Sequence, residues 1–283
     1  TVFGQKRNLV RPQFWGMLSD ILRFNRESTA WLVSHPDSQR SLRDFLEEGR
    51  YSAAFSEWYL LPMAAAIWSC PTGQMLATPL ATFVRFCQNH GLLQVFDRPL
   101  WRTVKGGGRE YVRKLAARMV ANGSEIRLAC PVSAVRRVGR HLHVTHAGGS
   151  ETFDQVVMAC HSDQALAILG FSASDAQRAV LTAIRYQPNR AVLHTDRALL
   201  PRDEKLWSAW NYAAGNGEPG TQPVAVSYLI NRLQPLPFTS PVIVTLNPAR
   251  EPDPARVIAE FDYAHPIFDG PAIAAQQRLA EIQ

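Results

Sequence analysis

Lys105-Gly106-Gly107-Gly108 is a segment whose residue types bear directly on chemistry. A lysine beside glycines suits a phosphate-cradling loop, but such a loop spaces its glycines apart and ends on a metal-holding hydroxyl. Here the glycines are contiguous and Arg109 follows, so the segment reads as close packing at a helix start. A G-x-G-x-x-G string, Gly215, Gly217 and Gly220, lies between the strand-like runs LWSAWNY and VAVSYLI, with Pro219 inside it. A dinucleotide site needs a strand before such glycines and a helix after them, so this string reads as a hairpin loop. Tyr186, Asn189, Arg190 and His194 share one extended segment. Arg190 stays protonated and serves as a fixed cation, not as a tunable base. A strand turns alternate residues to opposite faces, so these four cannot all enter one cavity. Trp207, Trp210 and Tyr212 have the spacing of a half-buried strand and either fill a core or wall an apolar cavity. Cys70, Cys87, Cys130 and Cys160 form no C-x-x-C pair and have no histidine at metal spacing. They read as reduced, buried, cytosolic thiols, and no metal site is expected. The histidines, His265 before Pro266 among them, give no Ser/His/Asp constellation in the sequence.

The elements that must position these residues change along the chain. Residues 12 to 100 carry helical periodicity: PQFWGMLSDILRFNRE, SLRDFLEEG with Ser41 as cap and Asp44 three residues on, AAFSEWYLLPMAAAIWSC, and TPLATFVRFCQNHGL. The stretch 102–166 predicts a glycine-opened helix and a short strand ending at Val132. A hairpin whose strands meet at Gly148-Gly149 follows, and then a buried strand from Gln155 to Cys160. Beyond it RAVLHTD, LWSAWNY, VAVSYLI and PVIVTL, separated by Pro/Gly loops, predict an antiparallel sheet. The apolar run YLLPMAAAIWSC is too short to span a bilayer and contains Pro62.

With 283 residues, 46% of them hydrophobic, the chain is long and apolar enough to bury a core. Its net charge of +6 comes from 26 Arg and 4 Lys scattered among acids. Nucleic-acid binding requires a concentrated basic face, so no nucleic-acid partner is expected. An anionic lipid surface or a phosphate-bearing ligand fits better, which keeps a peripheral membrane contact among the expected partners. The start at Thr1 and the uncapped final PAIAAQQRLAEIQ read as the ends of an excised fragment.

Gly107, Gly108 and Leu115, then Ile126, Val132 and Val135, then Asp154, Val156, Val157 and Ala159 follow a pattern of a GG-x-x-x-L helix, I-x-x-x-x-x-V-x-x-V, a β-meander and D-x-V-V-x-A. That pattern resembles the second half of the FAD-binding domain of the flavin amine oxidase superfamily. HSDQAL, YQPNRAVLHTD, LWSAWNY, INRLQPL, VTLNP and AHPIFD extend the resemblance over nearly the whole chain, to a bacterial subgroup of NAD/FAD-binding, amine-oxidase-like proteins. The resemblance implies an α+β fold: a substrate domain of antiparallel sheet and helical layer, plus a partial FAD-binding domain with a β-meander. Its implied divisions are 1–100, the helical part of the substrate domain; 101–170, a segment of the FAD domain; 171–265, the substrate-domain sheet; and 266–283, a helix returning to the FAD domain. The dinucleotide motif and a final FAD-contacting segment are then expected from N- and C-terminal segments of the same polypeptide.

The resemblance also implies roles. The backbone of Val132, kept extended by Pro131, would hold the adenine ring of FAD. Ala159 and Cys160, at a strand's carboxyl end, and the pair Gly107-Gly108 would let the cofactor approach. Tyr186, Asn189, Arg190, Trp207, Trp210 and Tyr212 would face a small apolar substrate. Many amine oxidases place a water-holding lysine between Tyr186 and Thr195; here no lysine occurs, so the resemblance does not carry amine oxidation with it, and no catalytic residue is named. The implied activity is an FAD-dependent oxidoreductase of the cytoplasm acting on an apolar or lipid-like substrate. Two rivals stand beside it, a flavin-free lipid or isoprenoid-binding module and an interaction protein of the membrane surface.

Overall fold

The computed structural model describes residues 4–68, 70–97, 99–213 and 225–283. A 3-10 turn, Lys6–Val10, leads into α1 (Pro12–Ser34), α2 (Leu42–Glu48), α3 (Ala53–Phe55), a π-helical turn at Ser56–Leu60, α4 (Leu61–Trp68), α5 (Thr72–Leu76) and α6 (Leu80–Asn89). Next come α7 (Arg109–Ala121), β1 (Val132–Val138), β2 (His141–His146), β3 (Gly149–Phe153), α8 (Ser162–Leu169) and α9 (Asp175–Ala183). The chain continues through β4 (Tyr186–His194), β5 (Trp210–Ala213), β6 (Ala225–Leu229), α10 (Ile230–Leu233), β7 (Ile243–Leu246), β8 (Val257–Pro266) and α11 (Gly270–Gln277). The fold is mixed helix and antiparallel sheet, and it divides into two compact units: Thr1–Gly107 with Gln187–His265, and Gly108–Tyr186 with Pro266–Gln283. The G-x-G-x-x-G string at 215–220 lies outside the described residues, while β5 and β6 on either side of it pair antiparallel.

In the first unit, Pro12 starts α1 because its fixed φ suits a first helical turn and its missing N–H has no partner to lose there. The buried side chains of α1, Phe14, Met17, Asp20, Phe24, Ser28 and Leu32, recur every three or four residues, so one face enters the core. Phe24 meets the rings of Phe45, Tyr51, Phe55 and Phe83 at centroid distances of 5.8, 5.8, 5.4 and 6.3 Å. The expected cap of α2 is a full capping box: Asp44 N–H donates to Ser41 Oγ, and Ser41 N–H to Asp44 Oδ2, both at 3.2 Å. The π turn precedes Pro62, whose ring nitrogen has no hydrogen for the helical ladder. There the ladder widens, and Leu61 N–H reaches back to the Ser56 carbonyl.

The sheet of this unit runs β5-β6-β7-β4-β8. Val226 and Tyr228 of β6 turn to the helical core. Alternate residues on the other face form a buried polar row. Asn211 pairs with Ser227 and Ser227 with Thr245 across the strands. The Ser227 and Thr245 hydroxyls are 2.8 Å apart, and His194 Nε2 lies 2.8 Å from Thr245 Oγ1. Asp196 N–H donates to His194 Nδ1 at 3.1 Å, which puts the imidazole hydrogen on Nε2 and directs it at Thr245. The ring is 0% exposed, and burial holds His194 below the usual imidazole range.

In the second unit, β1, β2 and β3 form the expected meander, with Val135 opposite Val144 and Leu142 opposite Phe153. Several expectations are corrected. Val132 begins a strand and does not end one. The meander packs on α8 through its edge at β1, and the glycine-opened helix α7 buries none of its residues. Tyr111, Val112, Leu115, Met119 and Val120 are exposed, because apolar spacing chooses the face a helix would bury and does not supply what covers it. The buried strand expected from Gln155 to Cys160 is irregular chain with Val157 90% exposed, since a strand exists only where a neighbour pairs with it. The cysteines are not all buried: Cys70 and Cys87 are, Cys130 is half-buried and Cys160 is exposed. Trp207 lies just outside β5, at the end of a 3-10 turn.

Replacing Phe24 by Ala removes the ring around which four others pack, and the first unit is expected to lose about 3–5 kcal/mol in urea unfolding. Phe171→Ala, at a ring 105% exposed, should change stability by less than about 0.5 kcal/mol. His194 gives a pH prediction. Its folded pKa is depressed, so the stability it confers is present above the unfolded value, about 6.5, and is lost as pH falls below it. Urea midpoints should drop between about pH 6.5 and pH 5, and this slope should flatten in His194→Gln; an unchanged slope would contradict the assignment.

Candidate functional site

A cavity of about 470 Å³ opens in the first unit between the start of α1 and the π turn. One wall is ruled at three-residue intervals by Gln5, Asn8, Arg11, Phe14 and Met17. A 3-10 turn eclipses residues three apart, and α1 continues the line nearly in register. The wall therefore grades from two carboxamides and a guanidinium to a phenyl ring and a thioether. Facing it are Trp58, Tyr59 and Leu206, with Gly4 at the margin. The π turn presents Trp58 and Tyr59 side by side, and such turns are frequent where helices carry function. Trp15 braces the approach, its indole N–H donating to the Leu9 carbonyl at 2.9 Å.

Arg11 is exposed, and among the described residues its guanidinium makes no ion pair or side-chain hydrogen bond. None of the lining residues is acidic. A cation with two amides at one end and an aromatic, apolar surface at the other suits an anion that carries an apolar body. None of these residues stood among the sequence candidates. The signal was there as the every-third-residue spacing from Gln5 to Met17, but it crosses a change of helix type that no single periodicity follows.

The aromatic candidates divide between the two faces of the sheet. Trp210 and Tyr212 share one face of β5, and Trp210 meets its cross-strand partner Tyr228 edge-on at 5.5 Å and 74°. They are 45% and 39% exposed, and burial pushes the Tyr212 hydroxyl up. Trp207 packs on Leu200, Leu229 and Ile243, the face of the polar row, where its N–H donates to the Pro201 carbonyl at 2.7 Å and Arg197 lies 4.9 Å over the ring. The structure thus brings Trp210 and Tyr212 together and keeps Trp207 apart.

The candidates of β4 each have partners. Asn189 is 1% exposed and accepts from the Asn247 carboxamide at 2.6 Å, bracing Asn247 in a left-handed conformation at φ 45°. Arg190 Nη1 donates to both Glu251 oxygens at 2.8 and 2.9 Å, and its Nε and Nη2 donate to Glu260 at 3.0 and 2.8 Å. Those bonds, Glu260 first, raise its pKa further. Tyr186 belongs to the second unit, where its ring stacks on His161 at 4.4 Å and its hydroxyl accepts from Ser162 N–H at 2.9 Å.

Of the cofactor candidates, Gly107 has φ 89°, and a Cβ there would come 3.3 Å from Gln234 Oε1, so its bare backbone is required. Gly108 is the N-cap of α7. Val132, 39% exposed, begins an edge strand whose outer backbone groups are unpaired within the sheet, and Ala159 and Cys160 are exposed. A pyrophosphate has no counterpart site, for among the described residues no strand leads through a G-x-G-x-x-G turn into a helix. Among the described residues no group of His, Cys, Asp and Glu is placed to hold a metal, and no helix is long and apolar enough to cross a membrane.

The profile of a family described as flavin containing amine oxidoreductase matches residues 24–235. No curated protein matches the sequence. Among solved structures, a CLA-producing fatty acid isomerase from P. acnes superposes with a TM-score of 0.62 at 15% identity, over 97% of this chain and 68% of that one. A protein designated protoporphyrinogen oxidase from Exiguobacterium sp. 255-15 gives 0.58 at 17%, over 91% and 64%. A triple mutant of putrescine oxidase gives 0.55 at 15%, over 95% and 56%. At these identities the likeness concerns the fold, and this chain spans between 56% and 68% of the three proteins' lengths.

Proposed function

The chain belongs to the family of flavin containing amine oxidoreductases, and from that premise we propose that it is the substrate-binding part, with a portion of the cofactor-facing part, of an FAD-dependent oxidoreductase acting on a lipid-like acid. The cavity beside Arg11 is the observation that carries this reading. Its apolar end would desolvate the substrate body, and its polar end would hold a carboxylate through the Arg11 fork with Asn8 and Gln5 beside it. The flavin, when bound, supplies the redox chemistry. The protein's part is to position the substrate and exclude water. Arg190, committed to two glutamates, stabilises the sheet in this reading and leaves substrate contact to the cavity. The remaining cofactor contacts, above all those to the pyrophosphate, would come from segments of the same polypeptide outside these 283 residues.

Two measurements test it. Decanoate and decanol, titrated against the 283-residue chain by calorimetry, should both bind; Arg11→Gln should weaken decanoate about tenfold, roughly 1.4 kcal/mol, and leave decanol unchanged. Trp58→Ala should weaken both. Equal affinity of the Arg11 variant for decanoate would remove the anionic head from the proposal. The second measurement concerns FAD. Backbone hydrogen bonds at Val132 contribute about 1 kcal/mol each, too little to offset the loss of freedom of a large cofactor. After dialysis with FAD the 283-residue chain should therefore be colourless, and a flavin band persisting at one equivalent would show that these residues hold the whole cofactor.

A further inference from the structure

The turn between β2 and β3 assembles a cluster that neither the flavin reading nor the cavity uses. Cys130 Sγ lies 3.4 Å from His146 Nδ1, and His146 Nε2 lies 3.0 Å from Glu151 Oε1. Glu151 is fixed by Arg127, which Glu125 grips through two bonds of 2.6 and 3.0 Å. Thiol, imidazole and carboxylate thus stand in the order nucleophile, base, orienting group.

Local backbone geometry builds the arrangement. Ala129 takes φ 52°, a conformation costly for a side chain with Cβ, and it aims the next residue, Cys130, at the hairpin. His146 folds over its own turn, and Gly148 N–H donates to Nδ1 at 3.0 Å. That bond fixes the tautomer: Nδ1 offers its lone pair, and Nε2 carries the hydrogen toward Glu151. The glycine is needed sterically, because a Cβ at position 148 would come 3.1 Å from the His146 ring. The Glu151 carboxylate is held below its usual range, first by Arg127 and then by His146.

We propose that Cys130 is a reactive thiol, a site of covalent modification by small carbon electrophiles, with His146 as its general base and Glu151 as the positioning residue. In the step, the S–H proton passes to His146 Nδ1 while the sulfur electron pair attacks the electrophilic carbon. The C–S bond forms, the bond to the leaving group breaks with its electron pair, and the proton later leaves to solvent. Protonation of Nδ1 costs the Gly148 bond. It is offset because the imidazolium is then paired with the Glu151 carboxylate at Nε2. The other cysteines lack this setting. Burial pushes the Cys70 and Cys87 thiols up to about 12 each, and Cys160, though exposed, has no side-chain partner among the described residues. The proposal does not depend on a flavin and stands if that reading fails.

The test is competitive alkylation of the folded 283-residue chain with substoichiometric iodoacetamide, read at each cysteine by peptide mass spectrometry. Cys130 should label at least about tenfold faster than the more exposed Cys160, the effect expected of a positioned base. His146→Gln should bring Cys130 down to the Cys160 rate or below it while Cys160 keeps its own rate; Glu151→Gln and Gly148→Ala should each slow Cys130 several-fold. Loss of structure in any variant would be read by circular dichroism, because Cys70 and Cys87 lie in the first unit and do not report on the second, and in that case the comparison rests on the remaining variants and on the wild-type ratio. Cys160 labelling as fast as Cys130 in the wild-type chain, or an unchanged Cys130 rate in folded His146→Gln, overturns the proposal.

Discussion

The rings of Phe45, Tyr51, Phe55 and Phe83 close on Phe24, and they come from α2, the loop after it, α3 and α6. Burying so much aromatic surface at one point stabilises the first unit, and it also fixes the helix carrying Phe24 against the chain that leads into the π turn. The cavity depends on both. Arg11, Phe14 and Met17 extend from the N-terminal end of the same helix, and Trp58 and Tyr59 stand in the π turn that begins right after Phe55. A shift of α1 by one turn would move the guanidinium away from the aromatic wall. The polar end of the cavity is built without a carboxylate, so its charge stays available to a ligand.

The sheet makes a second use of alternation. One face gives Val226 and Tyr228 to the helical core, while the opposite face buries Asn211, Ser227, Thr245 and His194 in mutual hydrogen bonds. A buried hydroxyl or imidazole without a partner costs more than a paired one returns, so this row specifies register: slipping one strand by a residue would leave every member unsatisfied. Arg190 reinforces the same sheet from outside, bridging Glu260 of β8 and Glu251 of the loop before it.

The hairpin of the second unit shows how chemistry arises where no motif is written. Cys130, His146 and Glu151 are separated by sixteen and five residues, and no spacing rule joins a thiol to a histidine at such a distance. What joins them is antiparallel register, which sets His146 opposite Val132 and Gly149, together with a left-handed residue before the cysteine. The hairpin and its Gly148-Gly149 turn are legible in the sequence, whereas the meeting of Cys130 with His146 is not.

Local rules were legible in the sequence wherever a short segment decides its own conformation. The Ser41–Asp44 box, the helices of residues 12 to 100, the meander turn and the antiparallel strands all follow from side-chain periodicity, capping and turn chemistry acting over a few residues. The family resemblance was legible too, because it is carried by such local patterns along most of the chain. What tertiary structure alone decided was which apolar or polar groups find a partner. Gln155 to Cys160 and the apolar stripe of α7 have the composition of buried elements, yet none of their residues is fully buried, whereas Asn189 and His194 look like surface polar residues and are buried and bonded. Burial and hydrogen bonding are relations between distant segments, and hydrophobicity along the chain states only one side of each relation. The cavity at Arg11 and the Cys130 cluster are of the same kind, since each depends on where a second stretch of chain comes to rest.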